Sequence, residues 1–193
     1  VQGGLDDRLR DISLKGLLKR GTDFPGFAIG GSAGGEGKED FCRVLESALP
    51  KLPFNKPRYV MGIGYPIDIV ICTAFGGDMY DCVFPSRTAR FGNALVPEGT
   101  LRLKQAQYKT DERKVQDDCD CVCCLNYTRK DLNKIAGKET EASIVLTYHN
   151  LRYLMRLCQQ MREAIEMKTF KAFCIEFTKK LYSLEKDVPN WVV

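Results

Sequence analysis

Phe24-Pro25-Gly26-Phe27-Ala28-Ile29-Gly30-Gly31-Ser32-Ala33-Gly34-Gly35 is a short apolar run that breaks into a glycine-rich loop. It predicts a strand with an abrupt exit, since apolar residues favour a buried strand and glycine lets the backbone turn away through conformations other residues avoid. The pattern returns at Arg58-Tyr59-Val60-Met61-Gly62-Ile63-Gly64. It returns again at Met79-Tyr80-Asp81-Cys82-Val83-Phe84, which leaves through Pro85-Ser86-Arg87. Helical segments separate these runs. Residues 38–49 place Phe41, Val44, Leu45 and Ala48 on one face, and residues 67–75 close at Gly76-Gly77. An earlier helix carries Leu9, Ile12, Gly16 and Leu17 on one face and can end at Gly21. Strands alternating with helices predict βαβ units and a parallel sheet. Counting Gln2-Gly3-Gly4 as a further strand exit gives four units. Four units make half of a (β/α)8 barrel, in which every strand ends on the face where active sites are built. A doubly wound open sheet satisfies the same pattern.

The second half reads differently. Residues 92–118 are polar, with a hairpin expected around Pro97-Glu98-Gly99, and residues 119–130 hold a cysteine cluster. Residues 139–167 predict a long helix whose stripe of Ile144, Tyr148, Leu151, Met155 and Cys158 advances by three or four. Phe170, Phe173, Phe177 and Leu181 mark a final amphipathic helix. The expected organisation is a partial barrel over residues 1–95, a metal-binding subdomain over 96–150 and C-terminal helices over 151–193.

Composition sets the class. The chain has 193 residues, 44% hydrophobic and 28% charged, which excludes global disorder. Its 29 basic and 25 acidic residues leave a net charge of +4, enough to permit a nucleic-acid partner but not to require one. No apolar run approaches the roughly 20 residues of a transmembrane helix. The opening Val1-Gln2-Gly3-Gly4 has no charged and apolar leader pattern and no initiator Met, so the chain is expected to be cut from something longer.

Four of the nine cysteines fall within Cys119-Asp120-Cys121-Val122-Cys123-Cys124. Cys119, Cys121 and Cys124, with His149, the single histidine, supply three thiolates and an imidazole. That set suits a closed tetrahedral zinc site of structural type, with no position left open for reacting water. Cys123 is ambiguous from spacing alone. A reduced chain with such a site is expected rather than a disulfide scaffold. Asp81 is the second candidate. A carboxylate inside an apolar strand is costly to bury unless paired or hydrogen-bonded. At the C-terminal end of a barrel strand it would face the active-site mouth as a nucleophile or base; packed inward it would be a structural aspartate. Arg87 and Arg90, three residues apart on the exit, could clamp phosphate or fork onto bases.

Together these motifs resemble the tRNA-guanine transglycosylases, over residues 1–177. The stretches that carry the resemblance are Val1-Gln2-Gly3-Gly4, Ala28 through Glu36, Tyr59-Val60-Met61-Gly62-Ile63-Gly64, Asp78 through Arg90, and the Cys119, Cys121, Cys124 and His149 set. The resemblance implies the C-terminal half of a (β/α)8 TIM barrel with an inserted zinc-binding subdomain and a structural Zn2+. It implies exchange of guanine at the wobble position of tRNAs with a GUN anticodon. Asp81 would be the nucleophile that forms a covalent ribosyl-enzyme. Gln2 and the Gly31 amide would bind the base, Met61 would stack on it, and Arg87 and Arg90 would hold the anticodon. Gly34, where bacterial relatives carry a larger residue, would make room for queuine. The resemblance further implies a heterodimer with a related noncatalytic subunit, and a cytoplasmic location, including the periphery of mitochondria. Ser86 stands where the family has threonine and Ser32 where it commonly has leucine. The family's general-base aspartate matches nothing here, so this chain alone is expected to be inactive.

Three other readings share these features. A noncatalytic partner subunit lacks the full Asp-Cys-Val-Phe-Pro context of Asp81. The archaeal relatives usually continue into further RNA-binding domains. A zinc-stabilised RNA-binding module would bind tRNA without a covalent intermediate.

Overall fold

Helix α1 (Asp7–Lys19) begins where the Asp6 carboxylate accepts the amides of Arg8 and Leu9, satisfying two donors that the first turn leaves open. Strand β1 (Phe27–Ile29), helix α2 (Lys38–Ala48), strand β2 (Arg58–Val60), helix α3 (Pro66–Ala74) and strand β3 (Met79–Tyr80) follow in alternation. The three strands are parallel and lie in chain order β1-β2-β3, with Phe27 opposite Arg58 and Val60 opposite Tyr80. Val1 extends this sheet. Its amino group donates to the Ala28 carbonyl, and its own carbonyl accepts the Gly30 amide at 3.0 Å, the exchange of a parallel pair. The computed structural model describes residues 1–31, 35 and 37–183, and these divide into two compact units, Val1–Val83 and Phe84–Val193.

In the first unit the inward face of α2 is as expected, with Phe41, Val44, Leu45 and Ala48 all buried. Helix α1 differs. Leu9 and Ile12 are exposed, and Arg10 and Leu14 face the interior instead. Helix α3 carries proline in its first turn, where a missing amide costs nothing, and stops at Gly76, whose φ of +98° suits glycine. Strand β3 is shorter than expected. Asp81 lies just past its end rather than within it.

The second unit opens with helix α4 (Phe84–Arg90), where an exit loop was expected. The antiparallel pair β4 (Asn93–Val96) and β5 (Gly99–Arg102) forms the expected hairpin. Helices α5 (Val122–Asn126), α6 (Arg129–Ile135), α7 (Thr140–Glu166) and α8 (Phe170–Leu181) complete it. Helix α6 starts with a reciprocal cap between Thr128 and Asp131. The apolar centre gathers Val96, Leu103, Val115, Leu132 and Leu146 around the cysteine loop. Helix α7 buries Leu146, His149, Asn150, Tyr153, Leu154 and Leu157, whereas Ile144, Tyr148, Leu151 and Met155 are exposed. Four of the five residues of the expected stripe thus lie on the outer side, and Cys158 is half-buried. The fold is mixed α/β with small sheets. Among the described residues, no helix is long and apolar enough to cross a membrane.

Candidate functional site

In the first unit, the C-terminal edge of the parallel sheet brings four loops into one row. Next to β1, the chain after Val1 carries Gln2, whose amide donates to the Ser13 hydroxyl at 3.1 Å. The Gln2 side chain lies across the exit of β1. A Cβ built on Gly30 would stand 2.3 Å from Gln2 Nε2, so a larger residue there would displace the Gln2 side chain. Gly31 follows in the left-handed region at φ +71°, and a Cβ there would sit 3.3 Å from Gln2 Oε1. The exit of β2 adjoins that of β1, with the Met61 amide donating to the Ile29 carbonyl at 3.1 Å. Met61 leaves 45% of its surface exposed at this edge. Past β3 comes Asp81, exposed and neighbouring the β2 exit.

Asp81 is anchored from β2. The Tyr59 hydroxyl donates to its Oδ1, and the Gly62 amide donates to the same oxygen at 2.9 Å. These donors, Tyr59 first and Gly62 second, hold the carboxyl below the usual carboxylate range and keep it ionised. Both of these bonds fall on Oδ1 and neither on Oδ2. Tyr59 was not picked out from sequence. Nothing in its own neighbourhood marks it, because its partner is twenty-two positions away and meets it only through the β2-β3 pairing. Gly34, together with Ser32, lies outside the described residues. Arg87 and Arg90 sit in the last turn of α4, both exposed and on one helical face, rather than on a loop.

In the second unit, Cys119, Cys121, Cys124 and His149 converge, their ligand atoms all within 4.8 Å of one another and every residue buried. His149 Nδ1 lies 3.7 Å from Cys119 Sγ, 3.6 Å from Cys121 Sγ and 3.4 Å from Cys124 Sγ. A tetrahedral ion with bonds of about 2.3 Å to sulfur and about 2.0 Å to nitrogen separates those atoms by about 3.5 Å. The four residues could therefore hold a metal ion without rearrangement. The histidine is already oriented for it. Its Nε2 meets the Leu95 carbonyl at 2.8 Å, which places the proton on Nε2 and leaves the Nδ1 lone pair facing the thiols. Cys121 caps α5 and accepts the Cys124 amide, so the first turn of this helix turns both sulfurs inward. Cys123, left ambiguous by spacing, lies outside the four; it packs into the apolar cluster, and burial pushes its thiol up to about 12. Two ion pairs fasten the loop to α7, a two-point contact of Arg152 with Asp120 (2.7 and 2.9 Å) and a contact of Arg156 with Asp118 at 2.8 Å. Asn150, beside the histidine, bonds the carbonyls of Pro85 and Asn93 and the amide of Leu95.

A family model described as Queuine tRNA-ribosyltransferase matches residues 1–183. The chain belongs to the queuine tRNA-ribosyltransferase family. It is 41% identical over 201 residues to the queuine tRNA-ribosyltransferase catalytic subunit of Schizosaccharomyces pombe, covering 100% of this chain and 49% of that protein. It is 42% identical over 206 residues to the catalytic subunit from Caenorhabditis briggsae, covering 100% of this chain and 51% of the relative. A bacterial queuine tRNA-ribosyltransferase from Tolumonas auensis is 42% identical over 191 residues, 98% of this chain and 50% of the relative. The chain thus spans about half the length of the curated relatives it matches, within their C-terminal half.

Proposed function

We propose that this chain supplies the nucleophile and part of the base pocket of a queuine tRNA-ribosyltransferase, the enzyme that replaces guanine at the wobble position of GUN-anticodon tRNAs with queuine. The observation that carries the reading is the exposed, hydrogen-bonded Asp81 carboxylate in the same row of loops as Gln2, Gly31 and Met61. The chemistry suits it. Asp81 attacks the ribose C1′ as the bond to guanine breaks, giving a ribosyl-aspartate. The incoming base then attacks C1′ and releases the carboxylate. Gln2 and the Gly31 amide recognise the base, Met61 stacks on it, and glycine at position 34, in place of the larger residue of bacterial relatives, admits the substituent of queuine. Arg87 and Arg90 hold the anticodon beside the exchanged nucleotide.

The (β/α)8 reading over residues 1–95 draws support from the strand order. Val1, β1, β2 and β3 lie side by side in chain order, as successive barrel strands do, with no reversal of the kind that marks a doubly wound sheet. In the subdomain of residues 96–150, the metal would be a structural Zn2+, which three thiolates and an imidazole suit and which has no open coordination position. For the C-terminal helices of residues 151–193, of which residues 151–183 are described, the proposed role is packing on the barrel. A related noncatalytic subunit is the proposed partner. The exposed stripe of Ile144, Tyr148, Leu151 and Met155 on α7 offers an apolar surface for it.

The test is a full-length protein carrying this chain as its C-terminal half, incubated with tRNA and a nonreactive base analogue. A covalent protein–tRNA adduct is expected, and it should vanish in Asp81→Asn. An adduct that persists in that variant, or tRNA binding with no adduct in the unsubstituted protein, would overturn the assignment. This chain alone should exchange no base.

A further inference from the structure

Arg10 is a buried cation facing the site from behind. It lies on α1, its side chain is only 1% exposed, and it points toward the sheet edge where an apolar residue would be expected. A buried guanidinium is costly unless its donors are used. Here two of its three nitrogens, Nε and Nη2, reach the two loops that carry the base-binding residues. Nε donates to the Gly4 carbonyl at 2.6 Å, and Nη2 donates to the carbonyls of Gly30 at 3.0 Å and Gly31 at 3.1 Å. Both loops need such a tie. Gly3, Gly4 and Gly31 have φ of +146°, +58° and +71°, and glycine segments have the most freedom to lose. The fit is also close. A Cβ on Gly3 would lie 2.6 Å from the Arg10 backbone nitrogen and 2.9 Å from its Cγ.

We infer that Arg10 is a positioning residue for base recognition: by bridging the Gly4 carbonyl to those of Gly30 and Gly31, it fixes the Gln2 side chain and the Gly31 amide at the mutual spacing that one nucleobase edge requires. This rests on the function proposed above and extends it to a residue that touches no substrate. The guanidinium fork matters as much as its charge. An ammonium at the end of a lysine is a single point and cannot span carbonyls from two loops in one plane.

The experiment uses the full-length protein carrying this chain, with Arg10→Lys and Arg10→Ala variants. It reads the KM for free guanine, the KM for tRNA, kcat and the thermal midpoint. In both variants the guanine KM is expected to rise about tenfold while the tRNA KM stays within about twofold, the signature of lost base alignment rather than lost RNA contact. Millimolar guanidinium ion should lower the guanine KM of Arg10→Ala back toward the unsubstituted value, because it refills the vacated site. If the alanine variant does not fold, the lysine variant decides by its guanine KM. A lowered midpoint with the guanine KM unchanged would make Arg10 purely structural and overturn the inference. An unsubstituted protein that exchanges no base would overturn the proposed function and this inference together; exchange with an insensitive guanine KM would overturn this inference alone.

Discussion

The Tyr59 hydroxyl and the Gly62 amide converge on one oxygen of Asp81, so β2 orients the carboxylate that β3 delivers. Both donors hold the same oxygen, Oδ1. Tyr59→Phe removes the largest of the influences that keep the carboxyl ionised. Its pKa should then rise toward the ordinary carboxylate value. Asp81 would lose its charge at a higher pH, and the acid limb of the pH–rate profile should move upward. At neutral pH both forms stay ionised, so the remaining loss, about tenfold in kcat, reflects orientation. An acid limb that does not move would show that Tyr59 has no bearing on Asp81.

The metal centre makes a separate prediction. Its ligands come from Cys119 on a loop, from the cap and first turn of α5 and from α7, so an ion there closes a long connection. Cys119→Ser or His149→Asn should bring bound metal to well below one ion per chain by elemental analysis. Either change, or chelation, should lower the unfolding midpoint by roughly 10 °C or more, a few kcal/mol for a unit of this size. Cys123→Ser should retain its metal, since the converging ligand atoms are those of Cys119, Cys121, Cys124 and His149, without Cys123.

Asp111 ties the strand of chain before the cysteine loop to α6. Its carboxylate takes two contacts from Arg113, at 2.8 and 2.6 Å, and one from Arg129 at 3.3 Å, and it is only 9% exposed. Arg113 first, and Arg129 after it, hold the carboxyl well below the usual range. A folded-state pKa below the unfolded one gives stability that is present above about pH 4 and is lost as pH falls through the folded value. Asp111→Asn should therefore cost about 1 kcal/mol at neutral pH, Arg113 being largely solvent-screened. The gap between variant and unsubstituted protein should close on acidification in denaturant titrations. A gap independent of pH would assign the effect to packing.

The outer stripe of α7 bears on assembly. Leu151→Glu with Met155→Lys alters two side chains that are 45% and 60% exposed, so the midpoint should move by less than about 0.5 kcal/mol. Sedimentation with the related subunit should nevertheless shift from heterodimer to separate chains. Unchanged association would place the partner elsewhere.

How far the sequence could be read depended on whether each segment had one apolar face or two. Helix α2 has a single stripe, and its buried residues followed directly from spacing. Helix α7 has two, and periodicity alone picked the one that turned out to be exposed; the inner one contains His149 and Asn150, polar residues that hydropathy counts against burial but that hydrogen bonds satisfy inside. The same blindness hid Arg10 in α1. The end of β3 was misplaced because Met79 through Phe84 stays apolar after the backbone has left the sheet. Helix α4 was missed because Pro85 reads as a break, although proline is tolerated in a helix's first turn. The metal ligands were legible because chemistry fixed their types and a short loop fixed their spacing. The Tyr59–Asp81 and Arg10–Gly31 pairs depend on strand and helix placement that no local pattern encodes.

His149 and Asn150 are consecutive, and they look in different directions: one toward the thiols, the other toward the carbonyls of Pro85 and Asn93 at either end of α4. A cation captured by the first is thus one peptide bond from the anchor of the segment bearing Arg87 and Arg90. Loss of such a cation would therefore be felt first in the helix that carries the two exposed arginines, which Asn150 anchors at its start and just past its end.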